Sequence, residues 1–293
     1  EFLVSPRIQV AWYPNKNKNF QIFAAVGSYN QPAFFKEMKN AEGVLNTSLK
    51  AQKSWHFVLG GSTIFQFKEI PCKFTTEAYY KRLSDLVPYT QENISLSYAG
   101  ENMAKGYVWG IDFKLNAELI KGTESWVSAS IMQAKQDVIG DSYVKDGEVI
   151  YPGYFPMAND QRFNLSILIQ DQIYKYPQLR AHLVVNYGTS LPTFIPNGNR
   201  YDTYFKMPTY KRVDLGLSYV VFDKVAKVNT NRSLSFLGSC IISVEALNLF
   251  DMVNTSSYLW VNAVSANTQE KLMVAVPNYL TPFRLNLKLS ITF

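Results

Sequence analysis

The stretch Arg284-Leu285-Asn286-Leu287-Lys288-Leu289-Ser290-Ile291-Thr292-Phe293 alternates without a break. Leu285, Leu287, Leu289, Ile291 and Phe293 fall on one side, and Arg284, Asn286, Lys288, Ser290 and Thr292 on the other. Side chains of a strand repeat every two residues, so this is a strand with one apolar and one polar face. A soluble sandwich shows similar alternation, but rarely ends flush on a strand with Phe. A barrel strand that meets lipid outside and water inside fits this ending better.

Composition agrees with a barrel. The chain has 293 residues, 47% hydrophobic and 15% aromatic, with 19 Tyr and 19 Phe and a mean hydropathy of −0.10. That is too polar for a helical membrane protein, and no run approaches the roughly 18 apolar residues of a spanning helix. A transmembrane barrel needs this mixture of apolar outer face, polar lumen and aromatic girdles. A large soluble all-β protein is the alternative that composition leaves open. The net charge of +6 is scattered, with no basic cluster interleaved with aromatics, so no nucleic-acid footprint is read. Cys72 and Cys240 stand far apart and outside metal or redox spacing, as packing residues do. The chain opens Glu1-Phe2-Leu3-Val4, without Met or a signal peptide, and enters a strand almost at once; an upstream part is therefore expected.

Strand-like segments run near 3–13, 18–28, 53–68, 72–85, 103–118, 124–137, 160–171, 178–190, 207–222, 236–249 and 283–293. Tyr107, Trp109, Ile111, Phe113 and Leu115 oppose Gly110, Asp112, Lys114 and Asn116, and two later segments repeat the pattern around Phe163–Ile169 and Val213–Tyr219. Their length suits a tilted spanning strand. The connections alternate. Short ones lie near Pro14–Lys18, Glu69–Pro71, Leu119–Thr123 and Asp171–Pro177, with Asp223–Ser235 intermediate. Long ones lie near Ser28–Lys53, Leu86–Asn102, Asp137–Asn159, Ser190–Lys206 and Phe250–Pro282. Outer-membrane barrels have short periplasmic turns and long extracellular loops. On that basis Phe293 sits at the periplasmic rim, and the first and last strands are parallel. Parallel strands cannot close an antiparallel barrel, and about eleven strands is an odd count. The fold expected is therefore an all-β, antiparallel transmembrane barrel, with these strands forming half of an even barrel of about 22.

Several local motifs carry a family resemblance. Ser5-Pro6-Arg7-Ile8-Gln9-Val10-Ala11-Trp12-Tyr13 looks like the mid-barrel strand of TonB-dependent outer-membrane transporters, and Phe20 to Pro32 is similar to the strand that follows it. Asn46-Thr47-Ser48-Leu49-Lys50-Ala51-Gln52-Lys53-Ser54 resembles that family's Asn-Pro-x-Leu-Lys-Pro-Glu-x-Ser stretch, departing at Thr47, Ala51 and Gln52. Glu101–Asp112 looks like its Asn-x-x-x-x-x-x-Gly-x-Glu strand start, with Asp112 in place of Glu. Tyr210–Leu215 and Val244–Asp251 resemble the last two motifs before the closing strand; Ala246-Leu247 is inserted between Glu245 and Asn248. The wording is nearest to transporters of Bacteroidetes-type bacteria, including SusC-like relatives. The resemblance spans the chain. It implies the C-terminal half of a 22-stranded barrel, residues 1–293, without the family's plug domain and TonB box. It also implies partners: the TonB complex acting through a missing plug, the protein's own N-terminal barrel half, the barrel assembly machinery reading Phe293, and a SusD-like surface lipoprotein.

On the polar face the residues expected to meet substrate or plug are Arg7, Glu77, Asp112, Lys114, Arg162, Arg180, Arg212, Asp214, Glu245 and Arg284. Lys73, Glu118 and Lys288 share that face, and opposite charges are expected to face one another across neighbouring strands. On the lipid face each charge would cost roughly 2–4 kcal/mol at the midplane. Trp12, Trp55, Trp109, Tyr80, Tyr219 and Phe293 are girdle candidates. Tyr154, Phe155, Tyr201, Tyr204 and Trp260 are loop aromatics suited either to binding solute or to packing the loops together.

Catalysis finds little support. His56 and His182 lie on different strands, no nucleophile elbow or metal spacing is present, and Asp137, Asp141, Asp146 and Glu148 lack the spacing of a calcium loop. No cofactor, metal site or enzymatic activity is expected. The leading function is TonB-dependent uptake of a solute (glycan, peptide, siderophore or similar) across the outer membrane. The alternatives are a structural or accessory barrel of an outer-membrane complex and a barrel lipase or protease.

Overall fold

The computed structural model describes residues 2–93, 95–120, 123–173, 176–196, 204–223, 238–264 and 271–292. In chain order its strands begin with β1 (Arg7–Trp12), β2 (Phe20–Gln31), β3 (Gln52–Phe67), β4 (Ile70–Leu86), β5 (Tyr89–Glu92), β6 (Ser95–Tyr98) and β7 (Ala104–Ile120). The middle of the chain forms β8 (Thr123–Val138), β9 (Tyr143–Lys145), β10 (Glu148–Ile150), β11 (Phe155–Pro156), β12 (Phe163–Ile173) and β13 (Tyr176–Gly188). The rest forms β14 (Pro192–Phe194), β15 (Tyr204–Lys206), β16 (Tyr210–Asp223), β17 (Ser239–Leu247), β18 (Thr255–Val264), β19 (Lys271–Tyr279) and β20 (Arg284–Thr292).

Eleven of these strands form one wall in the order β1-β2-β3-β4-β7-β8-β12-β13-β16-β17-β20, with β11 joined to β8. Every pair in the wall is antiparallel. An even number of antiparallel steps, ten between eleven strands, leaves β1 and β20 parallel, so these two edges cannot pair with each other as antiparallel neighbours. The eleven strands match the eleven segments read from alternation. β1 is shorter than the 3–13 segment, and the β3–β4 turn is Lys68-Glu69, ahead of the expected Glu69–Pro71. Both turn residues have positive φ (47° and 70°), the geometry a tight two-residue hairpin needs.

Register assigns each side chain to a face. Ile8 stands opposite Val26, Val26 opposite Phe57, Phe57 opposite Tyr80 and Tyr80 opposite Trp109. Leu115, Val127, Ile167, Val185 and Val213 form a second such row. A third passes from Leu217 to Val244 to Leu287. These apolar residues are open: Leu285, Leu287 and Leu289 are 66%, 79% and 62% exposed. A contiguous apolar face of this extent marks contact with something other than water, and a hydrocarbon belt accounts for it. Trp55, Tyr80 and Trp109 stand near its long-loop end, Trp12 and Tyr219 near its short-turn end, as girdles do. Phe293 lies outside the described residues.

A buried cluster lies at the long-loop end, where Ala104, Val138 and Phe155 pack with Leu86, Met103 and Phe194. There the loops have structure that alternation did not predict. Four carry their own antiparallel hairpins, β5–β6, β9–β10, β14–β15 and β18–β19. The loop after β2 instead holds an isolated bridge from Lys39 to Leu45.

Candidate functional site

The site begins on the polar face of the wall. Register places Arg7, Glu77, Asp112, Lys114, Arg180, Arg212, Asp214, Glu245 and Arg284 together on the side opposite the apolar belt. Arg162 directly precedes β12 and pairs with Asp160 at 3.1 Å.

The charges are not arranged as expected. Glu77 stands directly opposite Asp112, so two carboxylates face one another on neighbouring strands. The Ser130 hydroxyl binds the Asp112 carboxylate from the other side. Arg212 pairs with Asp214, two residues along its own strand, with Nε 2.8 Å from Oδ1. Among the described residues no other member of the set forms a direct ion pair apart from Arg162. Cross-strand charge pairing is thus not how this face is held together. Arg180 Nε is buried and lacks a hydrogen-bond partner among the described residues.

Rings and glycines cover part of the same face. The Arg7 guanidinium lies 4.2 Å above the Tyr29 ring, which stacks on His56 with centroids 4.2 Å apart. Gly27 stands between Arg7 and His56 in register, and a side chain there would meet Arg7 Cγ. The His182 ring lies over Gly216 in the same manner, and the Tyr79 ring over Gly110. Both histidines therefore pack against neighbours on the wall.

At the long-loop end the hairpins lean together. Asn93, at the β5–β6 turn, accepts the Trp260 N–H at 2.6 Å and donates to the Trp260 carbonyl at 3.3 Å, 167 residues away in sequence. Phe205 meets Tyr258 and Trp260 edge-on, with centroids 5.1 and 5.8 Å apart. Phe194 packs between Phe155 and Tyr204. In the same region the Tyr98 phenol is held above its ordinary value, by burial first and then by Glu37 and Tyr89.

The loop aromatics separate by role. Trp260 lines a cavity of about 170 Å³ together with Tyr258 and Phe194. Tyr204 is half-buried against Phe194. Phe155 is only 3% exposed, so it is a core side chain and not an open binding platform. Tyr154 packs on Tyr107 and under Lys105, on the apolar side of the wall. Tyr201 lies outside the described residues. Sequence reasoning missed a second, larger cavity of about 740 Å³ between the loops and the polar face, lined by residues that include Gln136, Asn159, Gln161 and Asn164. Amides scattered over three segments give no linear signal.

Three solved structures share the fold at low identity. The outer membrane transporter YddB from Escherichia coli matches with a TM-score of 0.63 and 15% identity over 99% of this chain and 40% of its own. The siderophore receptor PiuA from Acinetobacter baumannii gives 0.60 and 13%, over 98% of this chain and 35% of its own. The ferric-catecholate import receptor Fiu from Escherichia coli K12 gives 0.59 and 14%, over 98% and 34%. The chain thus spans about two fifths or less of the length of these transporters. No curated protein sequence matches it. Residues 2–238 match the family described as "TonB dependent receptor-like, beta-barrel", and the chain belongs to that outer-membrane family.

Proposed function

We propose that this chain is the solute-conducting wall of a TonB-dependent transporter that carries a solute across the outer membrane into the periplasm. The observation that carries the reading is the two-faced wall of eleven strands, apolar on one side and charged on the other. The long-loop end faces the exterior. Residues 1–293 supply the second half of a barrel of about 22 strands, and the unpaired parallel edges β1 and β20 meet the first half. The plug that the family resemblance implies lies against the polar face. Two opposed carboxylates destabilise a sheet unless a cation stands between them, so the plug supplies that cation to Glu77 and Asp112. Arg180, whose Nε lacks a partner among the described residues, meets a plug carbonyl or carboxylate.

The remaining partners are the TonB complex, which draws the plug, the assembly machinery, which reads Phe293, and a surface lipoprotein of SusD type in a Bacteroidetes-type bacterium. Binding and release suffice for this role, without bond making. The test is uptake by cells with and without the gene, each before and after collapse of the proton-motive force. Energy-dependent uptake that disappears with the gene is expected. Unchanged uptake of every solute on deletion, with stable membrane partners retained, would replace the transporter by an accessory barrel.

A further inference from the structure

The two cavities under the loop hairpins adjoin, sharing Ala158 and Leu191 in their linings. Among the described residues that line them, none carries a formal charge. The remainder of the wall differs: a cavity at the short-turn end includes Lys73, Glu118 and Glu124, and one in mid-wall includes Arg180 and His182. In a chain with 18% charged residues, the mouth is where charge is missing from the described lining.

In place of charge the mouth has amides and rings. Gln91, Gln136, Asn159, Gln161 and Asn164 line it, with the hydroxyls of Tyr89, Ser130 and Thr193. An amide both donates and accepts, and a hydroxyl does the same, so the surface matches a solute rich in groups of either kind. The side chains of Gln136 and Asn159 make no hydrogen bond with the described residues, which leaves them free for such a solute. The segment carrying Asn159 and Gln161 is fixed in place. Asp160 is buried and accepts the Ala134 N–H at 2.9 Å, while Arg162 neutralises it from outside. The Asp160 carboxylate is thereby committed to the wall, and the Asp112 carboxylate is bound by the hydroxyl of Ser130. Above the amides, Tyr258 and Trp260 offer rings whose planes Phe205 sets. Such rings combine an apolar body with a polar edge.

We propose that this mouth is a binding site for a neutral, hydroxyl-rich solute of the oligosaccharide class, stacked against Trp260 and Tyr258 and hydrogen-bonded by the Gln136, Asn159, Gln161 and Asn164 amides. A charged solute entering it would give up hydration without meeting a counter-charge among the described lining residues, which is unfavourable. The proposal rests on the transport reading for its physiological meaning, and names the solute class of that same barrel.

The test is equilibrium dialysis of the full chain in the outer membrane vesicles of its own host, using maltohexaose, xylohexaose and mannohexaose against a hexagalacturonate of equal length. At least one neutral hexaose is expected to bind about tenfold or more tightly than the hexagalacturonate, a difference near 1.4 kcal/mol. Asn159→Ala, at an exposed position, and Trp260→Phe, which keeps a ring, are each expected to weaken that binding about threefold to tenfold. Failure of all three neutral hexaoses to bind would overturn the proposal. So would hexagalacturonate binding equally tightly, in competition with them and with the same sensitivity to the two variants. Neutral binding that persists while no energy-dependent uptake of the bound hexaose occurs would overturn the transport reading and leave the site standing.

Discussion

Asp214 holds Asn248 across the β16–β17 ladder. Its Oδ1 accepts the Asn248 backbone N–H at 2.7 Å, while Arg212 Nε donates to both carboxylate oxygens at 2.8 and 3.0 Å. Asn248 is 1% exposed and has φ of 51°, and its amide continues the network to the carbonyls of Met252 and Thr281. Asn254 completes it by exchanging two hydrogen bonds with the Lys211 backbone. The root of the longest loop is therefore tied to both strands beneath it. Hydrogen bonds to charged groups contribute about 1.5–3 kcal/mol. Asp214→Ala in the intact protein should lower stability by about that amount, and Asp214→Asn by less, because an acceptor oxygen remains. Urea unfolding in lipid vesicles measures both, and equal losses would show that the acceptor is irrelevant.

The outward row from Leu217 through Val244 to Leu287 sits within the apolar belt. Leu287→Arg should destabilise the folded barrel by roughly 2–4 kcal/mol if that row lies near the midplane. Asn286→Arg places the same charge one residue away on the polar face, opposite Glu245. It should be near neutral or stabilising by a few tenths of a kcal/mol. Folding free energies in vesicles compare the two, and equal costs would mean that the faces are assigned wrongly.

Glu77 and Asp112 pit two effects against each other. Repulsion between them alone predicts that Glu77→Gln stabilises the sheet by a few tenths to about 1 kcal/mol. A cation from the plug predicts the reverse, since the variant then removes one of its partners. The intact transporter is expected to show the second effect, read as greater leakage of a large antibiotic such as vancomycin through a loosened plug. Tighter exclusion would place no plug cation at this pair.

The wall was legible because each strand repeats one rule. Residues such as Phe113 and Asp112 announce their faces by polarity alone, and the sum over eleven strands fixes the fold. The family motifs were legible as words, though their physical task was not. Asn102, in one motif, exchanges hydrogen bonds with the Lys50 backbone in another at 2.8 and 3.0 Å, so the motifs pin loop roots to each other. The mouth stayed hidden for a different reason. Its amides are drawn from β8, from the segment before β12 and from β12 itself, and their shared property is an absence of charge that shows only once they are brought together. Three of the four loop hairpins were missed because strands of three or four residues carry too few alternations to register, whereas β18 and β19, of ten and nine residues, lie within the stretch read as the longest loop.

Asn93 has φ of 55° and makes two hydrogen bonds to Trp260. Ala at this position would confuse lost bonds with backbone strain, whereas Gly tolerates the conformation. Asn93→Gly should free the β5–β6 hairpin from β18, with amide exchange at Trp260 rising about tenfold for each 1.4 kcal/mol lost. Unchanged protection would mean that the aromatic contact of Phe205 with Trp260 suffices to hold the hairpin.

Gly216 lies beneath the His182 ring, and a Cβ there would overlap it. The two residues are directly opposite on β16 and β13, so the backbone cannot easily move away. Gly216→Ala should force the imidazole off its present rotamer into the lumen, at a cost of about 1–3 kcal/mol. His182→Ala removes the clashing ring, so the double variant should recover most of the loss that Gly216→Ala causes beyond that of His182→Ala alone. The double-mutant cycle measures this coupling directly. Additive losses would show that the ring has another place to lie, and that the glycine is there for the strand and not for the histidine.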